Sequence, residues 1–297
     1  MRSLAQITIK QLEAFVQIAD SGGFRSAAER LNTTQPSISA RINALEAQLG
    51  LKVMDRDAGS VALTPVGERL LLKARKVLSN VEDLLQATGD PGVFSGTLRL
   101  GVTEMIAHSW LSDFLTEFAE IFPNVAIELT VDISSEISAA LFGKTIDLAL
   151  QSGPFDRQIS SQLDLGQYPL VWVAAPKLGL GNASKSIKDI ADFRILTHAR
   201  KTLPYEQLTK HLDGLHTRLV PSTHLATCLQ MAVDGIGIAC LPAAMVQAQI
   251  AQNELAIINY HWSPDPLDFY ARFASQDAPI FVKEAAKLAR SISARHQ

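Results

Sequence analysis

The sequence predicts an α/β protein in three parts: a small helical unit closed by a two-stranded hairpin, a long linker helix, and a two-lobed α/β domain. Three observations point there. Within the first 50 residues, three helical stretches are separated by tight polar turns. Residues 65–88 carry an apolar stripe at alternating steps of four and three. Beyond residue 92, strand-like and helix-like stretches alternate, and the alternation restarts near residue 166.

In the first part, IKQLEAFVQIAD places Leu12, Phe15, Val16 and Ala19 on one helical face, and Ser21-Gly22-Gly23 ends that helix. A short helix is expected over Ser26–Leu31, with Ser26 near its N-terminus, then a turn at Asn32-Thr33-Thr34. A third helix runs from Gln35 to Leu49, and Gly50 stops it. Helices so short, joined by turns so tight, form a helix-turn-helix unit. Val53-Met54, a polar Asp55–Ser60 turn and Val61-Ala62-Leu63 then read as a small wing.

Within the third helix, Ile38, Ile42, Leu45 and Leu49 form the stripe that packs inward. Thr34, Ser37, Ala40, Arg41 and Ala44 make the opposite face small, polar or basic. A helix entering a DNA major groove needs such a face, because bulk would hold its backbone away from the base edges. A merely solvated surface has the same composition, so the face alone leaves both readings open. Net charge is −3, yet residues 1–56 hold seven Lys/Arg against five Asp/Glu, a mildly basic segment on an acidic chain.

Pro65 suits the start of the linker helix, where its missing N–H costs nothing. Leu70, Ala74, Val77, Val81 and Leu84 then follow a heptad seam, which fits a dimer coiled coil or an ordinary amphipathic helix. Gly89-Asp90-Pro91-Gly92 breaks the chain. The organisation expected is therefore residues 1–64, a linker over 65–92, and a domain over 93–297. Its first lobe covers about 93–166 and 268–297, its second about 167–267.

In that domain the first strand, at Leu98–Val102, leads into one helix from Met105 to Ile121. A strand at Val125–Val131, a helix at Ser135–Phe142 and a strand at Ile146–Leu150 complete a parallel βαβαβ unit. The second lobe reads as strands at Leu170–Ala174, Arg194–Leu196, Thr217–Val220 and Ile236–Leu241, with helices at Ile187–Ala191, Pro204–Leu212 and Thr223–Val233. A strand at Phe269–Phe273 and a helix at Ala278–Ser293 return to the first lobe.

The stretch from Leu12 to Leu71 carries many spaced matches to one family. They are Gly23-Phe24, Ala27-Ala28, Leu31, Thr34-Gln35-Pro36-Ser37-Ile38-Ser39, Ala44-Leu45-Glu46, Leu49-Gly50, Leu63-Thr64 and Gly67. This stretch resembles the DNA-binding domain of LysR-type transcriptional regulators, and the rest of the chain is similar in length and order. The resemblance implies contacts to double-stranded DNA from Thr33, Thr34, Gln35, Ser37, Ser39 and Arg41, and from Arg56 in the wing. Two departures stand out: Ala40 occupies a position where many relatives have arginine, and the wing sets Arg56 between Asp55 and Asp57. The resemblance further implies self-association, as a dimer and as a tetramer of two dimers, with RNA polymerase as a further partner.

In a two-lobed α/β domain, ligands bind beyond the carboxyl ends of the strands. The residues there are Thr103, Glu104, Ser134, Gln151, Thr197, His198 and Thr223. Helix-start amides and hydroxyls suit a small organic effector, a carboxylic acid among the candidates. For Thr103, Ser134 and Thr223, ordinary helix capping explains each residue equally well. The family's regulatory domain, similar to periplasmic solute-binding proteins, implies pocket roles for Thr103, Gln151 and Thr197. Gln151 stands where some relatives that bind aromatic acids have arginine, leaving His198, Arg200 or Lys201 to supply charge.

No cofactor is expected. No nucleophile elbow or metal-binding helix motif occurs, and Gly235-Ile236-Gly237 lies before a strand, the wrong place for a dinucleotide loop. Cys228 and Cys240 lack zinc spacing; packing residues explain them better than a redox pair. No run reaches the roughly 18 apolar residues of a membrane helix, and the N-terminus lacks a secretory pattern, so a bacterial cytoplasmic location, on the nucleoid when DNA-bound, is expected without membrane contact. Two other classes compete with a regulator. A transport-type solute-binding protein would need only residues 93–297, and an enzyme fused to a DNA-binding module would need a catalytic constellation.

Overall fold

The computed structural model describes residues 7–57, 60–180, 183–275 and 278–296. The chain divides into two compact units. The first comprises Met1–Thr97, Ile121–Ala126 and Gln276–Phe281; the second comprises Leu98–Glu120, Ile127–Ser275 and Val282–Gln297.

The first unit opens with α1 (Ile9–Ser21), which starts at a reciprocal capping box between Thr8 and Gln11. Helix α2 (Phe24–Arg30) follows, and α3 (Gln35–Leu49) has Thr34 as its cap and Pro36 in its first turn. Helix α2 begins earlier than expected. Gly23 is its N-terminal cap residue and no side chain caps it, so Ser26 lies inside the helix. Strands β1 (Met54–Asp57) and β2 (Ser60–Leu63) pair antiparallel from Met54↔Leu63 to Asp57↔Ser60. Asp55–Asp57 and Ser60, expected in the wing turn, are therefore in the strands, and positions 58–59 lie outside the described residues.

Helix α4 (Pro65–Gln86) packs on the same core as α1–α3. Gly67 makes this close approach possible: a Cβ there would stand 2.1 Å from the Val53 carbonyl oxygen. Ala74 is buried in the cluster that includes Phe15, Ile18 and Leu45, and Leu70, Leu71 and Leu78 pack against that cluster. An Arg75–Asp20 ion pair (2.5 Å) adds a polar tie to α1. This corrects the heptad seam. Leu70 and Ala74 face the helical core of their own chain, while Val77 and Leu84 are exposed and Val81 is half-buried.

The second unit holds two five-stranded sheets. The first has the order β4-β3-β5-β12-β6 and the second β11-β7-β10-β8-β9. In the first, β3 (Gly96–Val102) and β5 (Leu148–Ser152) run parallel, with β4 (Val125–Val131) at one edge. Strand β12 (Leu267–Phe273) returns antiparallel between β5 and β6 (Ser161–Tyr168). In the second, β8 (Arg194–His198) lies parallel to both β9 (Arg218–Ser222) and β10 (Ile238–Pro242). On its far side β10 pairs antiparallel with β7 (Leu170–Ala174), which carries the two-residue β11 (Ala256–Ile257).

Helices α5 (Glu104–Ala107), α6 (Leu111–Ile121), α7 (Ser134–Phe142) and α12 (Ile280–Arg295) belong with the first sheet's part of the chain. The second sheet has α8 (Ile187–Ala191), α9 (Leu203–His211), α10 (Leu225–Val233) and α11 (Ala243–Ala251). Helix α7 covers the first sheet through Ile137 and Leu141 on Ala149 and Ile146. Helices α10 and α11 cover the second through Cys228, Leu229, Ala232 and Val246 on Val173, Leu196 and Ala239.

The single helix expected over Met105–Ile121 is two. Trp110 turns inward between α5 and α6, and its indole N–H donates to the Tyr168 hydroxyl at 2.7 Å. Strand β6 and helix α11 had no counterpart in the sequence reading. The Gly235–Gly237 segment serves the backbone: Gly235 has φ +66°, and a Cβ at Gly237 would stand 2.3 Å from the Arg194 carbonyl oxygen. Cys228 and Cys240 are buried free thiols, and desolvation raises the pKa of both. No helix among the described residues is long and apolar enough to cross a membrane.

Candidate functional site

The residues named for DNA contact all lie on α3, in the turn before it or in β1. Thr33 is half-buried and its N–H donates to the Ala28 carbonyl at 2.9 Å. The Thr34 hydroxyl accepts the Ser37 N–H at 3.3 Å, so it fixes the start of α3. Gln35 is exposed, and Ser37, Ser39 and Arg41 are half-buried. Arg56 pairs with Val61 through its backbone, and its side chain lies outside the described residues.

With Ile38, Ile42 and Leu45 wholly buried, the middle of the outward face is fixed by helical geometry. It is the series Pro36, Ala40, Asn43 and Ala47, all exposed. Ser39 and Arg41 flank it. The sequence reading missed Asn43 and Ala47, although the signal was there: a 4-3-4 series offset by two residues from the buried one. Asn43 is the polar member of that series, between two alanines that keep the face low.

Glu46 holds this helix to the wing. Its carboxylate is buried, accepts the Val53 and Met54 N–H groups at 2.9 and 3.4 Å, and pairs with Lys52 at 2.6 Å. Burial pushes its pKa up, but Lys52 and the two amides outweigh that and leave it below the ordinary carboxylate value.

The candidate effector residues stand at strand ends of the second unit. The Thr103 N–H donates to the Leu150 carbonyl at 3.2 Å, which joins the ends of β3 and β5. Thr103 occupies the cap position of α5, yet its hydroxyl makes no capping bond and is buried without a partner. Gln151 is fully buried; its Oε1 accepts the Ser138 hydroxyl at 3.2 Å, and its Nε2 has no partner. Ser134 is the first residue of α7 and shares a 3.0 Å hydrogen bond with Ser152. Ser138, one helical turn after Ser134, is a member the sequence reading did not name; the four-residue spacing on α7 was the available signal.

From the second lobe, Thr197 and His198 end β8, both buried. The Cys228 thiol donates to the Thr197 carbonyl oxygen at 3.6 Å, which ties α10 to this strand end. Neither His198 ring nitrogen has a partner, and desolvation pushes its pKa down to about 4, so the imidazole is neutral near pH 7. Thr223 departs from expectation. It is exposed, and His224 rather than Thr223 takes the cap position of α10.

Glu104 departs as well. Its Oε2 accepts the Leu225 N–H and the Ala226 N–H (3.2 Å for the latter), and its Oε1 meets His224 Nδ1 at 3.1 Å. The carboxylate of the first lobe thus sits on the first turn of a helix of the second. The buried polar atoms left without partners at these strand ends are neutral: the Thr103 hydroxyl, the Gln151 amide N–H₂ and the His198 imidazole. Among the described residues no cluster of His, Cys, Asp and Glu has the makings of a metal site.

Comparison with known proteins agrees with both parts. The model of the bacterial regulatory helix-turn-helix protein, lysR family, matches residues 9–68, and that of the LysR substrate binding domain matches residues 91–279. The chain is 27% identical over 241 residues to the HTH-type transcriptional regulator CzcR of Bacillus cereus, covering 80% of this chain and 81% of that one. A full-length OxyR variant from Pseudomonas aeruginosa has the same fold at TM-score 0.61 and 21% identity, over 96% of this chain and 95% of that one. So does Vibrio fischeri DarR in complex with DNA, at TM-score 0.57 and 21% identity, over 96% and 99%. The chain belongs to the LysR family: it is a DNA-binding transcriptional regulator with a small-molecule effector domain, not an enzyme.

Proposed function

We propose that the effector lies between the two sheets of the second unit, held by Thr103, Gln151, Thr197 and His198. The observation that carries this reading is the set of polar atoms at the strand ends that are buried without partners: Thr103 Oγ1, Gln151 Nε2 and both His198 nitrogens. Buried polar groups are nearly always paired, and four unpaired atoms gathered at these strand ends call for a partner. Ser134, Ser138 and Ser152 line the same sheet end in the first lobe.

Operator DNA is read by the outward face of α3, with Ser37, Ser39 and Arg41 at its rim and Arg56 reaching phosphate from the wing. The working division is residues 1–64 for DNA, 65–92 for linkage and 93–297 for the effector. Self-association through Val77, Val81 and Leu84 pairs two α4 helices beyond the part covered by α1, and a tetramer of two such dimers acts with RNA polymerase on DNA in the bacterial cytoplasm. An effector changes transcription only through unequal affinity for two arrangements of the assembly.

A mobility-shift titration on the DNA upstream of the gene tests the first half of this reading. The full chain retains that fragment at lower concentration than an unrelated fragment of equal length. Equal retention of both would overturn sequence-specific reading by α3.

A further inference from the structure

Resting on the cleft assigned above, we infer that Glu104 is a built-in carboxylate, filling the anion position at the start of α10, so that the effector presents an uncharged hydrogen-bonding group there rather than a carboxylate. The first turn of a helix is the strongest anion-binding feature a cleft of this kind offers, because free N–H groups and the helix dipole act together. At α10 that feature is occupied. Leu225 N–H, Ala226 N–H and His224 all engage the Glu104 carboxylate, which is mostly shielded from solvent. A ligand carboxylate would have to displace it or sit beside a like charge.

The other polar groups agree. Thr103 Oγ1, Gln151 Nε2 and the two His198 nitrogens are neutral, and each lacks a partner. Arg200 and Lys201, which could have supplied positive charge, are exposed. Arg272 is the single buried cation among the described residues. It pairs across the sheet with Ala149, two residues deeper than Gln151, where its guanidinium lies over the Phe155 ring at 3.7 Å and donates through Nη2 to the Arg157 carbonyl, while Nε and Nη1 have no partner. The unpartnered groups at the strand ends themselves are thus neutral donors and acceptors, and the anion position at the start of α10 belongs to the chain itself.

The same contact bridges the lobes, so its removal has two readable effects. Calorimetric titration of the full chain with sodium acetate, against sodium chloride at equal ionic strength, gives no saturable heat for the wild type. Glu104→Ala gains one acetate site per chain. Small-angle scattering shows a larger radius of gyration for Glu104→Ala alone and recovery in acetate, which a cap acting only within α10 would not produce. Glu104→Gln keeps the volume, so it gains no acetate site but shows the larger radius. It carries the scattering test if the alanine variant does not fold.

Acetate binding by the wild type as tight as by Glu104→Ala would overturn the inference. So would a Glu104→Ala protein that folds and neither binds acetate nor expands, or, where only Glu104→Gln folds, an unchanged radius for it. The mobility-shift preference for the upstream fragment depends on none of these, so failure here leaves the regulator reading standing.

Discussion

Two buried ionisable groups, one in each unit, solve the same problem in opposite ways. Glu46, under the DNA-reading helix, keeps its charge because Lys52 and the Val53 and Met54 amides surround it. His198, at the end of β8, has no partner at either nitrogen and gives up its charge instead. A carboxylate so completely satisfied is a structural rivet, fixing the wing to α3. An imidazole left unsatisfied stabilises nothing where it stands, and only a ligand or water would restore its hydrogen bonds. The contrast separates scaffold from site better than burial does, since both groups are buried.

The largest effect that sharpens this contrast is expected at Glu46. Glu46→Ala would strand two backbone N–H groups and leave Lys52 without its partner, for a loss of about 3–4 kcal/mol. Chemical denaturation of the full chain should show it, with operator binding lost in parallel as the wing detaches. A change below about 1 kcal/mol would mean water replaces the carboxylate without cost, and the rivet description would fail.

Next comes His198, read through pH. Its pKa falls from 6.5 unfolded to about 4 folded. Between those values the unfolded chain binds the extra proton, so stability is complete above about pH 6.5 and declines as pH falls toward 4. The group accounts for about 3 kcal/mol over the whole window, by roughly 1.4 kcal/mol per pKa unit. Glu46, whose folded pKa is depressed from 4.5, works in a lower window: its contribution is present above about pH 4.5 and is lost as pH falls through its folded value. Denaturation midpoints measured at about pH 7 and pH 5 should differ less in His198→Asn than in the wild type. An identical difference would place His198 in contact with solvent.

Much of this was legible in the sequence, and the rest failed for identifiable reasons. The buried stripe Ile38, Ile42, Leu45 and Leu49 was readable because helical period and apolar content coincide along the whole helix. The α4 seam was half misread because an apolar stripe does not state what covers it: a partner helix and the chain's own core leave the same pattern, and Leu70 and Ala74 pack into the core they share with α1–α3. The break between α5 and α6 depends on a Trp110–Tyr168 bond across 58 residues. Glu104 finds its partners about 120 residues away, so local spacing gives no hint that its carboxylate is occupied. Thr103 fitted a cap and a ligand group equally until its hydroxyl was seen without a capping bond.

At the DNA-reading face the expected effects are of middle size. Ala40 is exposed at the middle of the outward series, so Ala40→Glu should fold normally and set a carboxylate against the base edges and phosphates. Operator affinity should fall by about 2–3 kcal/mol, more than the roughly 1–2 kcal/mol expected for Arg41→Ala at the rim. Mobility shifts at one fixed salt concentration rank the two. The reverse order would move the centre of the reading face from Ala40 and Asn43 to Arg41.

The smallest effect is the one that runs against intuition. Thr103→Val keeps the shape of the side chain and deletes a hydroxyl that is buried without a partner. Removing an unpaired buried polar group in favour of an apolar one of the same shape is neutral or stabilising, here by about 1 kcal/mol, or roughly 2–4 °C in melting temperature for a domain of this size. Thr103→Ser keeps the hydroxyl and deletes the methyl, so it should melt lower than the wild type. A stabilising substitution inside a binding site is the mark of a group kept for its ligand at the expense of the fold. Were Thr103→Val to melt well below the wild type, the hydroxyl would have a structural partner after all, and Thr103 would belong with Glu46 rather than with His198.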